Sequence, residues 1–473
     1  MALIRRTTSS EVITASRPFR LPLHLFILLI PLKMPSLISS GDITKFTNCR
    51  LARGDNLVSE DLWVSSHTGT ILSSQATFFD SGTLPDRIID LGGRIISPGL
   101  IDVQLNGAFG FNFSTLPDEI SEYPKAVADV NKKLTTTGVT SYVPTLTSQK
   151  AILYQKVLPF LCPSRLRFAH DGAESLGAHV EGPFLNPGKN GIHDVNVLQE
   201  AFNFQDIEAC YGVENLGKKG EPNAEPAPIK KITLAPECGN MAQLIPELTS
   251  RGIICSIGHS EATYEEASDA VVAGATMITH LFNAMRPLHH RNPGIFGVLG
   301  VVTDKLPRPY FGIIADGIHL HPTAINIAFN AHPEGFILVT DAMHLVGLPD
   351  AVYPWTNGDV DSRIVKVGPT LLLEGTDKIA GSSITLIECV NNFLKWSGTS
   401  VGKALKAVTS TPAAMLGVQD RKGSLNVGAD ADLVIFSEEQ TIEGITQLVV
   451  DEVWKLGTQV YLRKGAAVMA KKA

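Results

Sequence analysis

Five short segments of the 473-residue chain carry the side chains that could do chemistry. Each segment closes an apolar, strand-like run with a histidine or an acidic residue, and five such endings in succession are hard to explain by packing alone. The segments are HVEGP (179–183), GHS (258–260), THLFNAM (279–285), ADGIH (315–319) and VTDA (339–342). Their shared position predicts one site built from separate stretches of the chain.

Glu181, His259 and His280 form a plausible metal-binding set. Two neutral imidazoles and one carboxylate suit a borderline divalent cation such as Zn²⁺. Three protein ligands leave one coordination position open for water, which is typical of a catalytic site. Either histidine taken alone could equally be a core residue. The set predicts one divalent cation, with Zn²⁺ favoured, although Mn²⁺, Fe²⁺ and Co²⁺ share such ligands.

Other polar residues could move protons or bind substrate. A carboxylate at Asp341 could take a proton from water and give it to a leaving nitrogen, or it could be a loop anchor. His319 could polarise a substrate carbonyl, or it could support its neighbours. His179 lies two residues before Glu181, so we expect it to point to the same side of a strand and to support the site. The guanidinium group of Arg291 can donate two parallel hydrogen bonds, which suits a phosphate or carboxylate partner.

The elements that must position these side chains follow a regular order. Eight apolar runs rich in Val, Ile, Leu and Thr alternate with helical stretches, which predicts a (β/α)8 barrel. Active sites of such barrels lie at the carboxyl ends of the strands, where these polar residues fall. An open doubly wound sheet is disfavoured, because no GxGxxG turn follows the first run. The runs cover residues 96–106, 140–148, 176–185, 231–237, 252–260, 276–285, 310–319 and 336–343.

Both flanks of the predicted barrel have the pattern of β-structure. Residues 41–95 and 423–465 contain short alternating runs separated by turns, so we expect them to form one small β-sandwich. The barrel itself is expected to cover residues 96–422. Residues 211–229, with three prolines and three glycines, are predicted to be a surface insertion. Residues 353–378 are predicted to form a hairpin near the barrel mouth.

Composition limits the class of protein. Hydrophobic residues make up 44% and charged residues 18%, which excludes a mainly disordered chain, collagen or a coiled coil. The net charge of −7 gives no broad basic surface, so we expect no nucleic-acid partner. No apolar run is long enough to span a bilayer, and we expect no membrane partner. Six cysteines without a CxxC pair favour a reducing compartment and a cytoplasmic location.

Residues 1–33 differ from the rest of the chain. Arginines precede a short apolar run at Leu21–Leu32 that two prolines interrupt. The segment could be a signal peptide, an organelle transit peptide, or an extension ahead of a true start at Met34. We favour the extension and expect the segment to lie outside the fold.

Several motifs together resemble a known family. PGLID (98–102) and GADAD (428–432) resemble the amidohydrolase superfamily. Within it, the chain from about residue 42 to 465 is similar to the N-acetylglucosamine-6-phosphate deacetylase family. The motifs that carry this similarity are QLNG (104–107), EGPF (181–184), GHS (258–260), HLFNAM (280–285), ADGIH (315–319), TDA (340–342) and AGS (380–382).

The resemblance implies a metal-dependent barrel with a β-sandwich, a homodimer, and hydrolysis of the acetamide of N-acetyl-D-glucosamine 6-phosphate. The implied products are D-glucosamine 6-phosphate and acetate, a step of amino-sugar catabolism. It implies metal ligation by Glu181, His259 and His280, acid–base catalysis by Asp341, and contacts of His319 with the amide carbonyl and the sugar. The other residues that it places around the substrate are Ile192, His193, Asn283, Ala284, Ile379, Ala380, Gly381 and, on the phosphate, Arg291.

One departure from the superfamily pattern is informative. Many members carry a His-x-His pair for a second metal at the end of the first strand, where this chain has Gln104 and Asn106. Neutral amides are poor ligands for Zn²⁺, so we expect a single metal. Two alternatives to the deacetylase interpretation stay open. One is another mononuclear amidohydrolase, a cyclic amidase or a deaminase, and the other is a non-catalytic barrel scaffold.

Overall fold

The computed structural model describes residues 42–163, 167–221, 226–300, 307–357, 360–466 and 469–472. Eight parallel strands form a nearly closed barrel, and the predicted fold class is confirmed. A bridge between Leu105 and Ala342 links the region after the last strand to the end of the first. Barrel strands one to eight are Leu100–Leu105, Val139–Leu146, Ala178–Glu181, Ile229–Leu234, Ile254–Ile257, Met277–Ile278, Tyr310–Ile314 and Phe336–Val339.

Helices follow most barrel strands and cover the outside of the barrel. Strand two is buried over its whole length, because helices pack on its outer face and side chains fill the interior. Three of the helices begin with capping boxes, at Asn203 with Asp206, at Thr263 with Glu266 and at Thr385 with Glu388. The α-helices are Glu122–Leu134, Ala151–Val157, Phe204–Tyr211, Met241–Ser250, Tyr264–Ala273, Pro322–Ala331, Leu386–Ser397, Val401–Lys406 and Ser410–Met415.

Two further sheets combine strands from both ends of the described chain. Their apolar faces share a buried cluster that includes Phe46, Leu62 and Trp454, which is the core of a β-sandwich. The predicted bounds of the two domains stay predictions. The first sheet has the order Met469–Lys472, Arg87–Asp90, Ile43–Thr47, Leu62–Ser65 and Thr70–Leu72. The second has the order Thr458–Leu462, Thr446–Lys455, Leu433–Gln440, Ile95–Pro98, Arg50–Arg53 and Asn56–Ser59.

A four-stranded antiparallel sheet follows barrel strand eight. Its strands are Ala351–Asn357, Val360–Val367, Thr370–Leu373 and Ile379–Ser382. The predicted hairpin at 353–378 is thus part of a larger sheet, whose last strand bridges back to the barrel through Ser382 and Ala342.

Two other predicted segments are described only in part or not at all. The predicted insertion at 211–229 contains the end of one helix, a short turn at Val213–Asn215 and the first residue of strand four, and its residues 222–225 lie outside the described residues. The extension at 1–33 also lies outside them. Among the described residues, no helix has the length and apolar character needed to cross a membrane.

A buried ionic cluster joins the β-sandwich to the barrel. Arg167 lies 2.6 Å from Glu174 and 2.6 Å from Asp430, and Lys455 lies 2.7 Å from Asp432. Because three cations face three anions, the cluster is balanced in charge, and its acidic side chains are already neutralised without a metal. Its members are Arg167, Lys422, Lys455, Glu174, Asp430 and Asp432.

Candidate active site

Glu181, His259 and His280 converge at the carboxyl end of the barrel. Glu181 Oε1 lies 3.3 Å from His259 Nε2 and 3.0 Å from His280 Nε2, and the two imidazole nitrogens are 3.0 Å apart. All three residues are buried, with at most 5% of their surface exposed. Three donor atoms from three different strand ends therefore surround one point.

The backbone at these strand ends is unusual. His259, His280 and Asp341 have φ angles of +49°, +28° and +46°, a region that residues other than glycine rarely adopt. Such conformations cost free energy and persist only where surrounding contacts enforce them. Here they turn three polar side chains inward just after strands five, six and eight.

The second nitrogens of the two imidazoles differ in their surroundings. His259 Nδ1 lies 2.8 Å from the carbonyl oxygen of Lys189 and donates to it, which leaves the Nε2 lone pair facing Glu181. His280 Nδ1 is buried and has no hydrogen-bond partner among the described residues. Both rings thus present Nε2 to the shared point, as a ligand would.

His193 also comes close to this group. Its ring centroid lies 4.6 Å from that of His259, and ligand atoms of Glu181, His193 and His259 all lie within 4.8 Å of one another. The Ser148 backbone N–H donates to His193 Nδ1 at 3.1 Å, so only Nε2 of His193 could ligate. Two overlapping sets of three ligands are therefore present. Both contain Glu181 and His259, and the third ligand is His280 in one set and His193 in the other.

The donor set fits a small divalent cation. Tetrahedral zinc sites have metal–ligand distances of about 2.0–2.2 Å, which separates neighbouring ligand atoms by roughly 3.3–3.6 Å. The spacing of 3.0–3.3 Å within the Glu181, His259 and His280 set is close to this range. Burial alone would raise the pKa of Glu181, but the neighbouring imidazoles of His259 and His280 hold that pKa well below its ordinary value. The carboxylate is thus kept in the ionised form that a cation needs.

Asp341 lies beside this set and is held by two amide side chains. Asn106 Nδ2 donates to Asp341 Oδ1 at 2.7 Å, and Gln104 Nε2 donates to the same oxygen at 3.1 Å. Gln104 Nε2 also lies 3.1 Å from Glu181 Oε1 and links the two carboxylates. The residues expected to replace a His-x-His pair thus act as hydrogen-bond donors. Burial, and next the charge of Glu181, raise the pKa of Asp341 to about 6.

His319 is oriented by Asp316. Its Nδ1 donates to Asp316 Oδ2 at 2.6 Å, and the other carboxylate oxygen accepts the backbone N–H groups of Ile318 and His319. Because Nδ1 is engaged, His319 turns Nε2 toward the cavity. Burial would raise the pKa of Asp316, but the His319 hydrogen bond outweighs it and lowers that pKa.

His179 is not available as a ligand. Its Nε2 lies 2.7 Å from Thr233 Oγ1 and its Nδ1 lies 3.2 Å from Thr145 Oγ1. Both ring nitrogens are thus used inside the barrel, which agrees with the expected supporting role.

These side chains line a cavity of about 240 Å³, which is large enough for a monosaccharide-sized ligand to enter in part. Most residues predicted around the substrate are on its wall, and so are Thr147, Ile314, Met343 and Lys378, which the sequence did not single out. The predicted residues on the wall are Asn106, Glu181, Ile192, His193, His259, His280, Asn283, Ala284, His319, Asp341, Ile379 and Gly381.

Three predicted residues lie elsewhere. Gln104 and Ala380 are buried behind the wall, at 0% and 1% exposure. Arg291 is exposed, and its Nη1 lies 2.9 Å from His290 Nε2 on the same loop. Lys378, at the start of the strand Ile379–Ser382, is instead the cation on the cavity wall within the described residues. The sequence signal for Lys378 was only its position beside the AGS motif.

Comparison with known proteins agrees with this geometry. Residues 95–460 match the model of the amidohydrolase family. The chain belongs to the amidohydrolase family. Members of this family are metal-dependent hydrolases, which agrees with the donor set and the carboxylate beside it.

Within the amidohydrolase family, the chain is similar to proteins named N-acetylglucosamine-6-phosphate deacetylase. It is 41% identical to the Homo sapiens protein over 419 residues, which covers 87% of this chain and 96% of the relative. The Bacillus subtilis protein is 36% identical over 361 residues, or 73% and 81% of the two chains. A mutant of the Mycobacterium smegmatis enzyme, solved in complex with N-acetyl-D-glucosamine-6-phosphate, covers 89% of this chain and 100% of its own, with 26% identity and a TM-score of 0.70.

Proposed function

We propose that this protein hydrolyses the acetamide of N-acetyl-D-glucosamine 6-phosphate to D-glucosamine 6-phosphate and acetate. The observation that carries the proposal is the convergence of Glu181, His259, His280 and Asp341 on one cavity that a monosaccharide-sized ligand can enter in part. The similarity to deacetylases over most of the chain supports the same substrate. The reaction would serve amino-sugar catabolism.

The metal in this proposal is a single divalent cation, with Zn²⁺ favoured, held by Glu181, His259 and His280. Two imidazoles and one carboxylate suit Zn²⁺ better than a hard cation such as Mg²⁺. When bound, such a cation acts as a Lewis acid on the amide carbonyl and makes water easier to deprotonate. Gln104 and Asn106 offer amide donors in place of ligands for a second ion.

Asp341 is proposed as the general base and acid. Both amide donors bind its Oδ1, which leaves Oδ2 to accept a proton from the attacking water. The water oxygen then forms a bond to the acetyl carbon. Asp341 returns the proton to the amine nitrogen as the C–N bond breaks, so acetate and the free amine leave with the carboxylate restored.

His319 is proposed to contact the acetyl oxygen and the sugar through Nε2, because Asp316 occupies its Nδ1. Around it, Asn283 and Ala284 would bind the sugar from one side, and Ile192 and His193 from another. Ile379 and Gly381 would close the third side, with Ala380 buried behind them. Lys378 would bind the phosphate from the cavity wall, and Arg291 would add a contact to it in a homodimer, from a loop that is exposed in the single chain.

We also propose a reducing, cytoplasmic location. Five cysteines support it, since they are buried in the fold as thiols: Cys49, Cys210, Cys238, Cys255 and Cys389.

The deciding experiment measures acetate release by the purified protein, with its metal content determined on the same sample. We expect turnover of N-acetylglucosamine 6-phosphate and about one metal per chain. Turnover of cyclic amides or amino-purines, with none of the sugar phosphate, would favour another mononuclear amidohydrolase. No turnover by metal-loaded protein on any of these substrates would favour the non-catalytic scaffold.

A further inference from the structure

Asp102 is a buried carboxyl group that the proposed mechanism does not use. It lies on barrel strand one, two residues before Gln104, and 1% of its surface is exposed. Thr340 Oγ1 donates to Asp102 Oδ2 at 2.6 Å, and the Gln104 backbone N–H donates to Oδ1 at 3.2 Å. One carboxyl group therefore holds the first strand and the end of the eighth strand together.

The contact reaches the residue that carries the proposed acid–base chemistry. Thr340 directly precedes Asp341, whose φ angle of +46° is rare for a residue with a side chain. The Thr340 hydroxyl donates to Asp102 and accepts the Ala342 backbone N–H at 3.2 Å, so it spans the turn. The Asp341 backbone N–H donates to the Gln104 carbonyl oxygen at 3.0 Å. Hydrogen bonds from Thr340 and from Asp341 thus hold the left-handed turn against strand one.

The surroundings of Asp102 indicate that its side chain does more than fill space in the barrel. Within the described chain no cationic side chain forms an ion pair with it, and burial raises its pKa to about 7. A buried carboxyl without an ion pair costs free energy that an apolar residue of similar size would not. What the carboxyl offers here, and an apolar residue would not, is a set of acceptors for one hydroxyl and for backbone N–H groups beside Asp341.

We propose that Asp102 is a positioning residue for the hydrolysis, which holds Thr340 and so keeps Asp341 turned toward the substrate. The inference rests on the role of Asp341 under the proposed function. A displacement of a reacting group by about 1 Å can lower a rate by roughly 100-fold, so loss of this contact should act on turnover. Substrate binding and metal binding, which depend on other strand ends, should change little.

The first test compares Asp102→Ala with Asp102→Asn. The alanine variant should lower kcat about 10- to 100-fold, with KM within threefold of wild type and the metal content unchanged. The asparagine variant should restore most of kcat. Its oxygen can accept the Gln104 N–H while its NH₂ donates to Thr340, whose hydroxyl can turn to the Gln104 carbonyl oxygen at 3.3 Å.

A second pair tests the other partner and covers the case in which Asp102→Ala does not fold. Thr340→Val keeps the shape of the side chain and removes the hydroxyl, whereas Thr340→Ser keeps the hydroxyl. We expect Thr340→Val to lower kcat with little change in KM, and Thr340→Ser to stay within threefold of wild type.

Asp451→Ala is the matched control for stability. Asp451 is a buried, hydrogen-bonded carboxylate in the β-sandwich, with 2% exposure and a 2.7 Å contact to Arg463. This control should lower Tm but leave kcat unchanged. The inference is overturned if folded, metal-loaded Asp102→Ala or Thr340→Val keeps kcat, if Asp102→Asn falls as far as the alanine variant, or if kcat falls only with lost metal. If wild type itself releases no acetate, the proposed function fails instead.

Discussion

The side-chain nitrogen of Asn106 lies 2.7 Å from Oδ1 of Asp341. A hydrogen bond to an ionised carboxylate is short and strong, and it favours the anion. Because Gln104 donates to the same oxygen, two neutral amide side chains stabilise the ionised form of Asp341. We therefore expect the site to need one metal and Asp341 to remain able to exchange a proton.

Replacing Asp341 should remove turnover and leave the metal in place. Asp341→Asn keeps the shape and can still accept hydrogen bonds from Asn106 and Gln104, but its amide cannot take a proton from water. We expect kcat to fall about 100- to 10,000-fold, measured by acetate release, with metal content unchanged. Asp420→Asn, at an exposed position, is the matched control and should behave as wild type. Near-normal turnover by metal-loaded Asp341→Asn would refute the assigned role.

The two overlapping ligand sets can be separated by metal analysis. His280→Asn should lose most of the bound metal, because His280 Nε2 lies 3.0 Å from both Glu181 and His259. His193→Asn should retain metal and raise KM, because His193 is expected to contact the sugar. The reverse pattern, with metal lost from His193→Asn and kept in His280→Asn, would assign the third ligand to His193.

Lys378 and Arg291 should differ in what they do for an anionic substrate. Lys378 lines the cavity and has no acidic partner among the described residues, whereas Arg291 is exposed beside His290. We expect Lys378→Ala to raise KM for N-acetylglucosamine 6-phosphate about 10-fold with little effect on unphosphorylated N-acetylglucosamine. Lys378→Arg should retain most of the affinity. An effect of Arg291→Ala alone, with Lys378→Ala silent, would show that the phosphate is bound by the exposed loop.

Stability should fall in mild acid because of His332. Burial, and next the charge of Arg308, lower the pKa of His332 to about 4, below its ordinary value of 6.5. The unfolded chain therefore binds the proton first as pH falls, and the stability present above pH 6.5 is lost progressively toward pH 4. At pH 4.5 the loss should be about 2 kcal/mol, and His332→Phe should remove it. Urea unfolding at pH 7.5 and 4.5 measures this, and equal losses in both proteins would rule His332 out.

Removing one cation from the buried ionic cluster should lower the free energy of unfolding. Lys422 is buried among Glu174, Asp430 and Asp432, so Lys422→Met leaves an uncompensated negative charge. We expect the free energy of unfolding to fall by about 3–5 kcal/mol, with kcat of the folded protein unchanged. Lys125→Met is the control, because the Lys125 pair with Glu122 is exposed and should contribute less than about 1 kcal/mol. Equal effects of the two substitutions would show that burial of the cluster adds nothing.

The barrel and the order of its polar residues could be predicted because each signal is local. A strand that is buried on both faces appears in the sequence as an apolar run. A site residue at the end of such a strand appears as a polar residue that ends the run, as at Glu181 and His259. The β-sandwich was predictable from short alternating runs at both ends of the chain.

Other features depend on tertiary contacts that no local pattern records. Lys378 reaches the cavity wall because of the path that the four-stranded sheet takes. Arg291 does not reach it, because the loop after strand six is exposed. Asp102 lies in a motif that indicated the family. Its partner Thr340 follows strand eight, far from Asp102 in the sequence, so no local pattern shows the contact. His193 was expected near the sugar, and its approach to His259 follows from how its loop folds back.

The strand Ile95–Pro98 lies between Arg50–Arg53 and Leu433–Gln440, so its neighbours come from opposite ends of the chain. During synthesis the early flank leaves the ribosome long before the late one. Until Leu433–Gln440 emerges, one edge of Ile95–Pro98 has no partner strand and is open to pairing with other nascent chains. This sheet can therefore be completed only after Leu433–Gln440 has been made, and a late segment of the chain protects an early one.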